Sequence, residues 1–331
     1  PSAPWTVQAH VPISDNSAGT IYFIRYPSNE AKYDNSEIWV SIGQERELYV
    51  YLLDLDRWET VSQKVVGTDR IIHELFLAND GTVWGGSYWT IDHENTLLSR
   101  LNEETRRFEP VYTFDQSGFL ELGPNGVFWL LTHGDGLYTF DIESKTSTRV
   151  IDSPSGLVRD MVMTDQGDIY FIIDDGHLTD QMQYPYPYLD QGSLMRFSGK
   201  SGAFEEVHLP EEPWPRREGT LFVADNQLWI DAIGYFDLKR ETWHPLYSDL
   251  SVYFSGDMFW GSPRLMLKDS YDIYWFALDF NHPIGMAWYD PVSGEGCMFT
   301  TRLSSIVEDF DRNLWMYSAG KLYRYSLAPE D

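Results

Sequence analysis

Aromatic and aliphatic residues run along this chain in short bursts, each closed by Gly, Asp, Asn or Ser. The clearest unit occupies residues 123–150. It opens on Gly123-Pro-Asn-Gly126, continues through Val-Phe-Trp129-Leu-Leu, and resumes with Gly136-Leu-Tyr-Thr-Phe140-Asp141. A polar turn then leads into Thr146-Ser-Thr-Arg-Val150. Asn-Gly ahead of an apolar run predicts a hairpin turn, because glycine reaches positive φ without steric cost. Short aromatic and β-branched runs bounded by turn residues predict strands rather than helices. One such unit cannot bury both faces of its sheet, but several side by side can.

Sliding the unit along the chain finds an aromatic at the Trp129 position seven times. The set is Trp39, Trp84, Trp129, Tyr170, Trp229, Trp275 and Trp315, at spacings of 45, 45, 41, 59, 46 and 40 residues. Gly81, Gly126 and Gly167 stand three residues before the aromatic, and Asn226 takes that place once. Asn tolerates the left-handed conformation too. Ser36, Asp272 and Arg312 fill the position elsewhere, so the turn reads as degenerate there. The second half of the unit recurs with Asp54, Asn102, Asp141, Ser198, Asp237, Asp290 and Ser326 at its end. These side chains can bond their own backbone and start the next turn. A fourth strand follows at Phe108, Phe204 and Trp243.

A period near 40 to 45 residues with four strands per unit predicts an all-β, seven-bladed β-propeller. The seventh copy stops short, with only five residues after Ser326, whereas Trp5 to Val11 forms a strand-like segment without a partner. Pairing the two closes the ring and removes two open edges. No linker divides the chain, so residues 1–331 are expected to form a single domain. Residues 70–77 read as an innermost strand, and the regular aromatics as core between blades. The longest insertions are residues 88–95 and 174–192, with a Pro-rich stretch at 210–215 that contains Trp214.

The run Asn79-Asp-Gly-Thr-Val-Trp84-Gly-Gly and its relative Asp311-Arg-Asn-Leu-Trp315 resemble the repeat of two-component-regulator propellers. The same pattern is similar to propellers of the virginiamycin B lyase-like and gluconolactonase-like groups. It covers all seven units, and it implies a fold more than a chemistry. The resemblance to periplasmic or extracellular sensor modules implies an extracytoplasmic location.

Charge narrows the partners. The chain carries 51 acidic against 24 basic residues, a net charge of −27. Such a surface repels nucleic acid and anionic membrane and favours cationic partners or metal ions. No run reaches the roughly 18 apolar residues that a membrane helix needs, so no membrane insertion is expected. The lone Cys297 permits no internal disulfide and leaves the redox compartment open.

Candidate chemistry gathers in one kind of loop. His93, His133, His177 and His282 lie between the second and third strands of their units, each with acids nearby: Asp92 and Glu94, Asp135, Asp174 and Asp175, and Asp279. Histidine with carboxylate suits a divalent ion or a general base. The same face gains aromatics from Tyr88, Trp89, Tyr184, Tyr186, Tyr188, Trp214 and Phe280. Prolines stiffen the Tyr-Pro-Tyr-Pro-Tyr run, which lowers the entropy cost of presenting its rings. No HExxH, Gly-x-Ser-x-Gly, Walker or Rossmann pattern occurs.

Three functions follow as expectations. The first is a non-enzymatic recognition or sensor propeller. It binds a peptide, glycan or partner protein through Trp89, His93, His133, His177, Tyr184, Tyr186, Tyr188, Trp214 and His282, and needs no cofactor. The second is a metal-dependent lyase- or lactonase-like enzyme, which leaves room for a divalent ion. The third is a structural subunit of a larger assembly.

Overall fold

A computed structural model of the chain describes residues 6–10, 19–26, 36–42, 47–87, 95–123, 125–132, 135–152, 157–174, 192–208, 221–224, 226–230, 234–245, 263–278, 285–299, 303–318 and 321–326. Among these residues the secondary structure is almost entirely strand, with one three-residue 3-10 turn at Leu53–Leu55.

The strands fall into four-strand antiparallel units, in chain order except at the ends. β1 (Thr6–His10) precedes the first unit in the chain. Unit 1 holds β2 (Gly19–Arg25), β3 (Glu37–Ile42), β4 (Glu47–Leu52) and β5 (Arg57–Ser62). Unit 2 holds β6 (Glu74–Leu77), β7 (Val83–Ser87), β8 (Leu97–Asn102) and β9 (Arg107–Thr113). Unit 3 holds β10 (Gly118–Leu122), β11 (Phe128–Thr132), β12 (Gly136–Asp141) and β13 (Thr146–Asp152). Unit 4 holds β14 (Leu157–Met163), β15 (Ile169–Asp174), β16 (Gly192–Ser198) and β17 (Ala203–Glu206). Unit 5 holds β18 (Leu221–Ala224), β19 (Gln227–Ile230), β20 (Gly234–Asp237) and β21 (Thr242–Pro245). Unit 6 holds β22 (Pro263–Lys268), β23 (Tyr274–Leu278), β24 (Gly285–Asp290) and β25 (Glu295–Phe299).

In unit 7, β26 (Leu303–Glu308), β27 (Asn313–Ser318) and β28 (Lys321–Ser326) are joined by β1 as the outer strand. β1 runs antiparallel to β28, with Thr6 opposite Arg324 and His10 opposite Lys321. One parallel pair, Ser62 with Arg107, links the outer strands of units 1 and 2 into an eight-stranded sheet. First strands of neighbouring units lie against each other: β2 with β6, β10 with β14, β14 with β18, β18 with β22, β22 with β26, and β26 with β2.

The turn between first and second strands explains the repeat. In units 2, 3, 4, 6 and 7 an N–H donates three residues back: Gly81 to Ala78, Gly126 to Gly123, Gly167 to Thr164, Asp272 to Asp269 and Arg312 to Asp309, at 2.9–3.0 Å. The donor is left-handed in each, with φ of 78° at Gly81, 65° at Asp272 and 63° at Arg312. Asn226 has φ 67°. The turn is thus not degenerate at Asp272 and Arg312, as the sequence had suggested. A residue with a Cβ is held there at a steric cost. The carboxylates of Asp269 and Asp309 supply compensation. Asp269 accepts the Tyr271 and Ile273 N–H groups, and Asp309 accepts the Asn313 N–H.

Turns between third and fourth strands form a second series. Asp56, Arg106, Lys145, Gly202, Glu241 and Gly294 close them with positive φ. In units 2, 5 and 6 the residue ending the third strand caps the turn: Asn102 accepts the Glu104 and Thr105 N–H groups, Asp237 those of Lys239 and Arg240, and Asp290 those of Val292 and Ser293.

Six of the seven repeat aromatics are buried: Trp39, Trp84, Tyr170, Trp229, Trp275 and Trp315. Trp129 is only half-buried, though it packs against the cluster between units 3 and 4. Clusters of apolar side chains fill the spaces between neighbours. One joins Ile21, Ile38 and Val40 of unit 1 to Trp315, Tyr317 and Leu322 of unit 7. The expected strand over 70–77 is shorter than its pattern. β6 begins at Glu74, while Ile71 forms an isolated bridge to Lys64. Arg70 turns aside to bond the Asn95 carbonyl at 2.8 Å.

Candidate functional site

Trp89, His93, His133, His177, Tyr184, Tyr186, Tyr188, Trp214 and His282 all lie outside the described residues. The strand bounds nevertheless fix which connections carry them. Trp89 and His93 fall between β7 and β8, His133 between β11 and β12, and His282 between β23 and β24. His177 and the three tyrosines fall between β15 and β16, and Trp214 between β17 and β18. In an antiparallel unit, the second-to-third connection and the link to the next unit leave from the same end. The opposite end carries the tight turns.

Two described residues lie where that connection end begins. The Asp135 carboxylate, near His133 in sequence, accepts from Arg149 at 3.0 Å and from the Tyr138 hydroxyl. Arg70 holds Asn95 at the foot of the unit 2 connection.

Sequence reasoning missed a group on the first strands. Glu74 on β6, Glu121 on β10 and Asp160 on β14 place one carboxyl in each of three successive units. Asp160 sits just past a bulge in β14. It accepts the Met161 N–H at 2.9 Å and, from unit 5, the Leu221 N–H at 2.7 Å. Glu74 and Glu121 keep some accessible surface but are enclosed by protein on almost every side. Burial, then Glu121 and Asp160, push the Glu74 carboxyl up to about 8. Burial, then Asp160, do the same to Glu121. Nearby, the Tyr22 hydroxyl donates to the His73 carbonyl at 3.2 Å, which ties unit 1 to unit 2. Burial and then Glu74 raise that hydroxyl, and burial and then Arg70 lower the His73 imidazole. The available signal was an acid within an otherwise apolar strand, as in Glu-Leu-Phe-Leu.

These two glutamates set a pH dependence. Their folded-state pKa lies above the ordinary 4.5, so the folded state binds more protons between about 4.5 and 8. Stability therefore falls as pH rises through that window. The double substitution Glu74→Gln, Glu121→Gln is expected to flatten the slope. It should match the parent near pH 5 and exceed it by about 2 kcal/mol at pH 8, a figure discounted for the remaining exposure. Denaturant midpoints across that range measure it, and an unchanged slope contradicts the burial reading.

Among the described residues, no group of three or more His, Cys, Asp or Glu side chains is arranged to hold a metal ion. Nor is any described helix long and apolar enough to cross a membrane.

Solved structures of similar shape cover nearly the whole chain. A streptogramin B lyase superposes with a TM-score of 0.62 at 14% identity, over 97% of this chain and 96% of its own. YCF48 bound to a D1 peptide gives 0.63 at 13%, over 99% and 97%. The extracellular domain of a putative one-component system from B. thetaiotaomicron gives 0.60 at 14%, over 98% of this chain and 40% of its own. The fold is a β-propeller. The chain thus spans less than half the length of that extracellular sensor domain. The resemblance of the Asn79 to Gly86 run to propeller repeats agrees with these structures at the level of the fold. No protein-family model matches the chain, and no curated protein matches its sequence.

Proposed function

We propose that the seven units are the blades of one closed ring formed by residues 1–331, and that the protein is a non-enzymatic recognition or sensor propeller. Its ligand is a peptide, a glycan or a partner protein, held at the connection end by Trp89, His93, His133, His177, Tyr184, Tyr186, Tyr188, Trp214 and His282. The observation that carries this reading is topological: the strand bounds assign all nine residues to connections leaving one end of their units. Loops that the fold does not need are where recognition is usually built. The pairing of β1 with β28 and the contact of β26 with β2 support closure.

Electrostatics favour a cationic group in the ligand. Glu74 is the first residue of β6, at the end that receives the connection from unit 1. A cation entering there replaces the proton that burial keeps on the carboxyl, and aromatic rings supply apolar contact. The sensor-domain neighbour supports an extracytoplasmic place for this chain, and the peptide-bound neighbour supports a polypeptide ligand.

Arrays of cationic peptides and of glycans supply the probes. Tyr186→Ala with Trp214→Ala should weaken the tightest hit about tenfold or more without moving the melting temperature. Unchanged affinity refutes the site. Stoichiometric divalent metal in the purified protein, with metal-dependent turnover of a lactone or lyase substrate, refutes the non-enzymatic reading.

A further inference from the structure

The tight-turn end carries an aromatic that turn geometry does not require. In the first-to-second-strand turns, the position after the opening residue is polar in units 2, 4 and 6: Asn79, Asp165 and Ser270. In unit 7 it is Phe310, with 83% of its surface exposed. Its backbone N–H donates to the Tyr26 hydroxyl at 3.3 Å, and the two rings lie 4.6 Å apart. On the other side the Arg312 guanidinium lies 5.5 Å from the Tyr271 ring, which is itself exposed. The Glu308 carboxylate accepts the Ser270 N–H at 2.9 Å, fixing the unit 6 turn against β26.

Tyr271, Phe310 and Tyr26 therefore form one row across units 6, 7 and 1. The row is held in place by these bonds, and by Asp309, which accepts the buried Trp315 indole N–H at 2.8 Å. Acids flank it at Glu308, Asp309, Asp311 and Asp272, against three bases: Arg312, which is engaged on Tyr271, Lys268, which pairs with Asp272 at 2.7 Å, and Arg324, which lies near Tyr26 and 5.6 Å from the Trp315 ring. Across the tight turns generally, acids outnumber bases. A lone exposed apolar residue is ordinary. An aromatic anchored at its backbone, packed at a tilt against a second ring and bordered by carboxylates has the makings of a hot spot, because little ordering remains to be done on binding.

We propose that this row is a docking surface for a basic segment of a partner polypeptide, with Phe310 as its apolar anchor. Charge complementarity selects the occupant. A chain of net charge −27 repels acidic and membrane-like surfaces at long range, while lysine or arginine side chains meet the carboxylates and aliphatic ones cover the ring. The surface lies at the opposite end from the nine connection residues, so it stands or falls independently of them.

The probe is a short labelled peptide of alternating lysine and leucine, titrated into the full chain and read by fluorescence anisotropy. Phe310→Ala is expected to weaken binding about tenfold, and Asp311→Asn less. Val150→Ser, on the outer strand of unit 3, should leave it unchanged. Phe310→Ala should also keep the parent melting temperature, because the ring is so exposed. Absence of binding to the parent, equal affinity in Phe310→Ala, or an equal loss in Val150→Ser overturns the proposal. Sedimentation gives the other decisive outcome: a dimer of the free parent that Phe310→Ala abolishes makes a second copy of this chain the occupant, and the basic-segment proposal fails.

Discussion

Replacing Trp39 by alanine is expected to destabilise the protein by about 3–5 kcal/mol, the range for truncating a large buried aromatic. The ring is fully buried among Leu48, Val50, Val61 and Phe108, between units 1 and 2, with Phe23 at 5.9 Å between ring centroids. Its loss also disturbs an ionic arrangement. The indole N–H donates to Glu37 at 2.8 Å, Glu37 pairs with Arg106 of unit 2 at 3.1 Å, and the Arg106 guanidinium lies 5.2 Å from the indole. Glu37 is buried, so the variant leaves part of a buried carboxylate without its donor, which adds to the cavity cost.

Trp129 gives the contrast. It holds the same repeat position but is half-buried, and about 1.5–3 kcal/mol is expected for its alanine variant, a reduced transfer and cavity cost. Urea unfolding of the two variants measures both. Equal losses contradict the difference in burial.

Much of the fold was legible because the repeat repeats its turn chemistry. Glycine at 81, 126 and 167 announces a left-handed residue, and the aromatic three positions later announces a buried second strand. At Asp272 and Arg312 the same backbone is imposed by neighbours instead. The Asp269 and Asp309 carboxylates gather the turn N–H groups and the Trp275 and Trp315 indoles, so no glycine is needed. A carboxylate six residues before the tryptophan was the readable sign of this. Unit 3 has Gly123 at that place, where a Cβ would sit 3.2 Å from the Trp129 indole nitrogen.

The acidic group was illegible for a different reason. Glu74, Glu121 and Asp160 each stand alone in a separate repeat, and only the packing of first strands brings their charges into mutual range. Phe310 was hidden as well, because an aromatic in a strand-rich chain reads as core until its exposure is known. The histidine loops were legible only as connections on one end of the units.

Both proposed binding surfaces assume a closed ring, and the pairing of β1 with β28 is where closure would be made. Four residues of β1 are in register with β28, from Thr6 with Arg324 to His10 with Lys321. Removing them would uncover the backbone of β28 along its outer edge and open the ring at the junction with unit 1. Removing 184–188, in a connection between β15 and β16, takes nothing from any described strand. The deciding measurement is the melting temperature of two deletion variants, one lacking residues 1–11 and one lacking 184–188. The closed ring predicts a fall of roughly 8 °C or more for the first, the effect of losing several kcal/mol in a domain of this size, and a fall of no more than about 2 °C for the second. Equal falls, or a terminal deletion that leaves the melting temperature unchanged, would contradict it.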